Sequence, residues 1–176
     1  MLPQRDLSFI YKYFTGEKQE SLLFLIIGVA AIALAIVFCF FIKSNPSFYK
    51  GAAIPLAAIG IIQCIVGYTV FARSDKQIVD IAYNIGMDPT SFAKQEELPR
   101  METVMKNFVI YRYVEILLTL VGLGFFLFFL NDETKMFWKG IGLTLAIQAL
   151  LMLGADYVAE KRGNVYKEEL KKMITD

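Results

Sequence analysis

The chain has 176 residues, 56% of them hydrophobic and 14% aromatic, with a mean hydropathy of +0.50. Soluble domains carry roughly 45 to 50% apolar residues even with glycine counted, so this composition argues against an ordinary soluble domain and for a membrane protein. The net charge of +1, with acids interleaved among the bases, offers no electrostatic footing for nucleic acid, and the lack of histidine removes the commonest general base and metal ligand.

Residues 1–16 set Leu2, Leu7, Phe9, Ile10, Tyr13 and Phe14 among Arg5, Asp6 and Lys12, a pattern that predicts a short amphipathic helix lying in the membrane interface and stopping at Gly16. The first apolar run, 21–42, has no small-residue cleavage site after it and is expected to be a retained span. With 52–72, 108–130 and 137–158 it makes four runs long enough to cross a hydrocarbon core of about 30 Å at about 1.5 Å per residue. The expected fold class is therefore an all-α integral membrane protein: four transmembrane helices as two tandem hairpins, 21–72 and 108–158, in a bundle with a helical cytoplasmic cap.

The turns at 43–50 and 131–136 are too short to fold outside the membrane. Segment 73–107 continues the second span through Ile78, Ile81, Ala82 and Ile85, with Gly86 as its end. Asp88-Pro89 then supplies a cap and a first-turn proline for a short helix through Glu97, and Pro99 opens the helix that becomes the third span. Residues 159–176 read as a cytoplasmic C-terminal helix resting on that cap. Thirteen bases fall in the N-terminal, central and C-terminal segments against four in the two short turns, which predicts cytoplasmic termini and location in a bacterial inner (plasma) membrane.

Phe48-Tyr49-Lys50-Gly51 recurs as Phe137-Trp138-Lys139-Gly140, 89 positions on. The same offset pairs Leu56-Ala57 with Leu145-Ala146, Tyr68 with Tyr157 and Arg73 with Arg162, so an internal duplication is expected, its copies related by an axis along the membrane normal. Phe48, Tyr49, Lys50, Phe137, Trp138 and Lys139 have the chemistry of outer-interface anchors, aromatic at headgroup depth with a lysine that snorkels.

Few side chains in the spans carry polar chemistry. Arg112, Glu115 and Thr119 share a face of the third span, and Asp156 stands at a comparable depth on the fourth. A charge in hydrocarbon costs at least about 2.5 to 3.5 kcal/mol, so an ion pair from Arg112 to Glu115 or Asp156 is expected, with a partner contact or an ion site as the functional alternative. Gln63 and Gln148 lie near mid-membrane and suit hydrogen bonding between helices. Cys39 and Cys64 lie at levels too far apart for a disulfide.

No cofactor or metal is expected, nor any catalytic residue. The reading that follows is a non-enzymatic membrane protein, in contact with lipid, that binds a membrane-embedded or membrane-proximal protein; an immunity or accessory protein that blocks a membrane-acting toxin is one form of it, and small residues at spacings of four also allow a homo-oligomer. The alternative is a small transporter or channel with Glu115 as its proton or cation site.

Overall fold

The computed structural model describes residues 7–175, so the first six residues of the expected N-terminal helix lie outside the described residues. It is built from helices: α1 (Ser8–Phe40), α2 (Pro46–Met87), the single turn α3 (Pro89–Phe92), α4 (Leu98–Phe128) and α5 (Met136–Thr175). Four helices, with α3 and α4 counted as one, are long and apolar enough to cross a membrane.

Local chemistry sets the breaks. Asn45 takes the left-handed conformation, φ 45°, and Pro46 follows as the first residue of α2. Asp88 accepts a hydrogen bond from the Ser91 amide at 3.1 Å and Pro89 opens α3; a π-helical turn, Ala93–Glu97, then leads into α4. Asp132 accepts from the Thr134 amide at 2.9 Å, capping the 3₁₀ turn Glu133–Lys135 that precedes α5.

Gly16 does not end a helix. One glycine costs only about 1 kcal/mol in a helix interior, and α1 passes straight through it because the missing side chain makes room for Arg162, whose Cδ would stand 2.9 Å from a Cβ there. Of the apolar residues expected at the interface, Leu7 and Phe9 pack partly buried against a core and the other three described ones belong to it. Ile10, Tyr13 and Phe14 are buried with Ile81, Ile85, Met101, Tyr166 and Leu170 beyond the ends of the apolar runs. The C-terminal segment belongs to the same helix as the fourth apolar run, and its Gly163, Tyr166 and Leu170 close this core.

The long helices pack in the row α1, α2, α5, α4, with α1 and α4 at its ends. Accordingly, 33% and 28% of the apolar stretches of α2 and α5 are buried, against 17% for each end helix. Each seam brings backbones close through small residues. Between α1 and α2, a Cβ on Gly28 would meet the Gly60 carbonyl at 2.7 Å; between α4 and α5, one on Gly122 would meet the Gly142 carbonyl at 2.8 Å.

The central seam is reciprocal. Gly51 of α2 lies against the Phe137 carbonyl of α5, and Gly140 of α5 lies against the Phe48 carbonyl of α2, so a side chain at either glycine would overlap the opposite backbone. These contacts join the two Phe-aromatic-Lys-Gly segments at matching positions. Their aromatic pairs are alike too, both edge-on, at 5.4 Å for Phe48 and Tyr49 and 5.8 Å for Phe137 and Trp138. Thr144 donates across the seam to the Ala52 carbonyl at 3.0 Å, close to Pro55, whose ring removes one of the helix's own donors.

Candidate functional site

Only a narrow stripe of α4 is buried. Glu115, Thr119 and Gly122 recur at helical spacing and face α5, with Gly122 against the backbone of Gly142 and Ala146. Continuing along α5 from Gly142 and Ala146 at steps of about three and four leads to Asp156 and Glu160. The α4/α5 seam thus begins as close backbone contact and ends in acids.

Arg112 pairs with Glu160, not with Glu115 or Asp156. Glu160 lies one turn beyond Asp156 on the same face of α5, within reach of Arg112, whose side chain is itself about half exposed. Glu115 is left without a base: it is 2% exposed, both its carboxylate oxygens are buried without a donor, and the group it meets is the carboxyl of Asp156. Two ionised carboxylates have no donor between them; that contact becomes a hydrogen bond only when one carries a proton. Thr119 does not help, because its hydroxyl donates 2.8 Å back to the Glu115 main-chain carbonyl.

Gln63 and Gln148 lie in the central seam, on the α2 stripe of Ala52 and Ile59 and the α5 stripe of Gly140 and Thr144. They are 1% and 3% exposed, and the Oε1 of each is buried without a hydrogen-bond partner. Neither Oε1 accepts the hydrogen bond between helices for which these residues are suited. Like the carboxylate oxygens of Glu115, these amide oxygens have no donor.

The anchors divide. Tyr49 packs edgewise on Phe38 and Trp138 at a tilt on Phe125, each on the neighbouring helix, and Lys139 donates to the Leu130 carbonyl just past the end of α4. Lys50 makes no such bond and is exposed. Cys39 and Cys64 are both free thiols. No group of three or more His, Cys, Asp or Glu able to hold a metal occurs among the described residues.

A second polar cluster lies in the cap, where the sequence offered no motif. Glu97, 2% exposed, accepts two hydrogen bonds from Arg100 at 2.7 and 2.8 Å and one from the Tyr166 hydroxyl at 2.7 Å. Tyr166 stacks on Tyr13 at 4.3 Å. Burial pushes the Tyr13 hydroxyl up to about 12 and raises Tyr166 further, with the Glu97 charge adding to the rise. Burial also raises the Glu17 carboxyl, against the pull of Arg73, 3.6 Å away, and of Arg100 and Arg162. Arg162 in turn pairs with Glu20 of α1. Glu97 is answered by Arg100 and Tyr166, Glu20 by Arg162 and one oxygen of Glu17 by Arg73, while Glu17 Oε2 and Arg162 Nε stay buried without a partner, in a structural clamp between α1, α4 and α5.

Along the α4/α5 seam, on the side of Arg112, the helices part to form a cavity of about 450 Å³. Phe108, Ile116 and Tyr157 form apolar walls, and Arg112, Asp156 and Glu160 supply its charge. No family model, curated protein or solved structure matches the chain.

Proposed function

We propose that the chain is an integral membrane protein of duplicated hairpins, both termini cytoplasmic, that acts as a small transporter or channel by taking up a proton or a cation at Glu115 and Asp156. The observation that carries it is the pairing of Arg112 with Glu160, which leaves two facing carboxyls with no base. A lone charge at membrane depth costs at least about 2.5 to 3.5 kcal/mol, so the pair lowers its charge by taking up whatever cation reaches it, and the proton is the smallest. The reciprocal glycine contacts support the duplication, and the thirteen to four distribution of bases supports the orientation.

The test is proton flux. Liposomes containing the purified protein are expected to dissipate an imposed pH gradient, and Glu115→Gln to abolish that flux while inserting normally. Flux unchanged by Glu115→Gln removes the proposal.

A protein-binding role, including that of an immunity protein against a membrane-acting toxin, is the second reading. It is favoured by the end helices α1 and α4, whose apolar stretches are mostly unburied. Recovery of one stoichiometric membrane partner from a detergent extract supports it; recovery of the monomer or homomer alone dismisses it.

A further inference from the structure

The cavity between α4 and α5 has no counterpart in the carboxyl pair's own requirements, since a proton needs no such volume. At about 450 Å³ it falls within the roughly 300 to 1,000 Å³ usual for small-molecule sites. Its walls are chiefly apolar, with the rings of Phe108 and Tyr157 among them, and aromatic faces attract organic cations. Gly154 also lines it, and a Cβ built there meets nothing within 4 Å, so the space next to α5 is open.

The charged groups around it are Arg112 on α4, Asp156 and Glu160 on α5, Glu115 behind Asp156, and Glu20 of α1, which is itself held by Arg162. Arg112 answers Glu160, and Arg162 answers Glu20. The carboxyls of Glu115 and Asp156 remain, so acid exceeds base in a groove that is otherwise apolar. Gln63 on α2 is uncharged.

Resting on the reading of Glu115 and Asp156 as a proton or cation site, we infer that this groove binds an amphipathic organic monocation, whose charge sits at Asp156 and replaces the proton held between Asp156 and Glu115. One cation enters and one proton leaves to solvent, so the charge of the site is unchanged. The apolar body of the ligand lies along Phe108, Ile116 and Tyr157. A bare metal ion would leave those walls unused, and an anion would face uncompensated acid.

The experiment uses the full chain in detergent with tetraphenylphosphonium as probe and tetraphenylborate, its anionic counterpart of the same shape, as control. Saturable binding of the phosphonium is expected, with one proton released per cation and an apparent affinity that falls about tenfold per pH unit on the acid side of the carboxyl titration. The borate is expected not to bind at the site. Gly154→Leu, which fills the groove and changes no charge, is expected to lose phosphonium binding while its helical circular dichroism is retained.

Equal binding of the two probes, phosphonium binding that releases no proton, or no saturable phosphonium binding at all overturns the inference. The flux experiment separates the two claims. Protein that shows proton flux dependent on Glu115 but fails to bind the phosphonium loses only the groove; protein without that flux loses the proton site as well.

Discussion

In the first hairpin α1 and α2 stay in backbone contact as far along as Gly67, where a Cβ would meet Ser21 and Leu25 of α1 at 2.7 Å. At the matching position of the second hairpin stands Asp156, and there α4 and α5 part around a groove. The positions equivalent to Arg112 and Glu115 are Leu23 and Ile26, both more than half exposed on the outside of α1. Polar groups in the first seam are also answered locally, the Ser21 hydroxyl by the Lys18 carbonyl at 2.8 Å and the Cys64 thiol, more weakly, by the Leu25 carbonyl at 3.9 Å. One hairpin thus keeps glycine contact at the position where the other carries an acid beside a groove. The difference puts the proposed site at the positions where the two hairpins diverge.

The sharpest way to break that contrast is to move the acid. Gly67→Asp is expected to cost more than about 3 kcal/mol, because the new side chain collides with α1 and carries a charge into an apolar seam. Asp156→Gly is expected to be tolerated. Unfolding of both variants in detergent checks this, and equal effects would mean that the hairpins do not differ in the way described.

Next in size are the glycines at which the halves meet. Gly51→Ala and Gly140→Ala are expected to destabilise by similar amounts, about 1 to 3 kcal/mol each. The double variant is expected to lose less than the sum, since either change alone opens the same seam. Gly124→Ala, with nothing within 4 Å of the added Cβ, serves as the control without loss.

In the cap, Tyr166→Phe removes the third hydrogen bond to the buried Glu97 carboxylate and is expected to cost about 1 to 2 kcal/mol, read as faster amide exchange around Tyr13 and Met101. The smallest effect concerns pH. Burial raises the folded-state Glu17 carboxyl above its unfolded value, so its contribution to stability is fully present below the unfolded value and is lost as pH rises through the folded one. Glu17→Gln is expected to flatten that part of the stability profile, and an unchanged profile would exclude Glu17 as its source.

Much of the fold was legible in apolar runs and end signals. Asp88-Pro89 and Pro99 act as read, because helix starts depend on residues a few positions apart. Gly16 misled for the opposite reason: its role is decided by Arg162, which is brought to it only when α5 folds back on α1. The partner of Arg112 was hidden in the same way. Spacing puts Arg112 and Glu115 on one face of α4, but the rotation of α4 against α5 decides which of Asp156 and Glu160 each one meets, and periodicity in a single chain does not carry that phase. Glu97, Arg100 and Tyr166 come from the π turn, α4 and α5, and their only trace in the sequence was the stripe of Ile10, Tyr13 and Phe14 that needed a buried partner.

Infrared difference spectroscopy across a pH titration tests the central claim most directly, because a protonated carboxyl in an apolar seam has a carbonyl band that an ionised one lacks. The account predicts such a band in the wild-type protein, titrating with pH and removed by Glu115→Gln, while Arg112→Gln leaves it in place. A band unaffected by Glu115→Gln, or none at any pH, would contradict it.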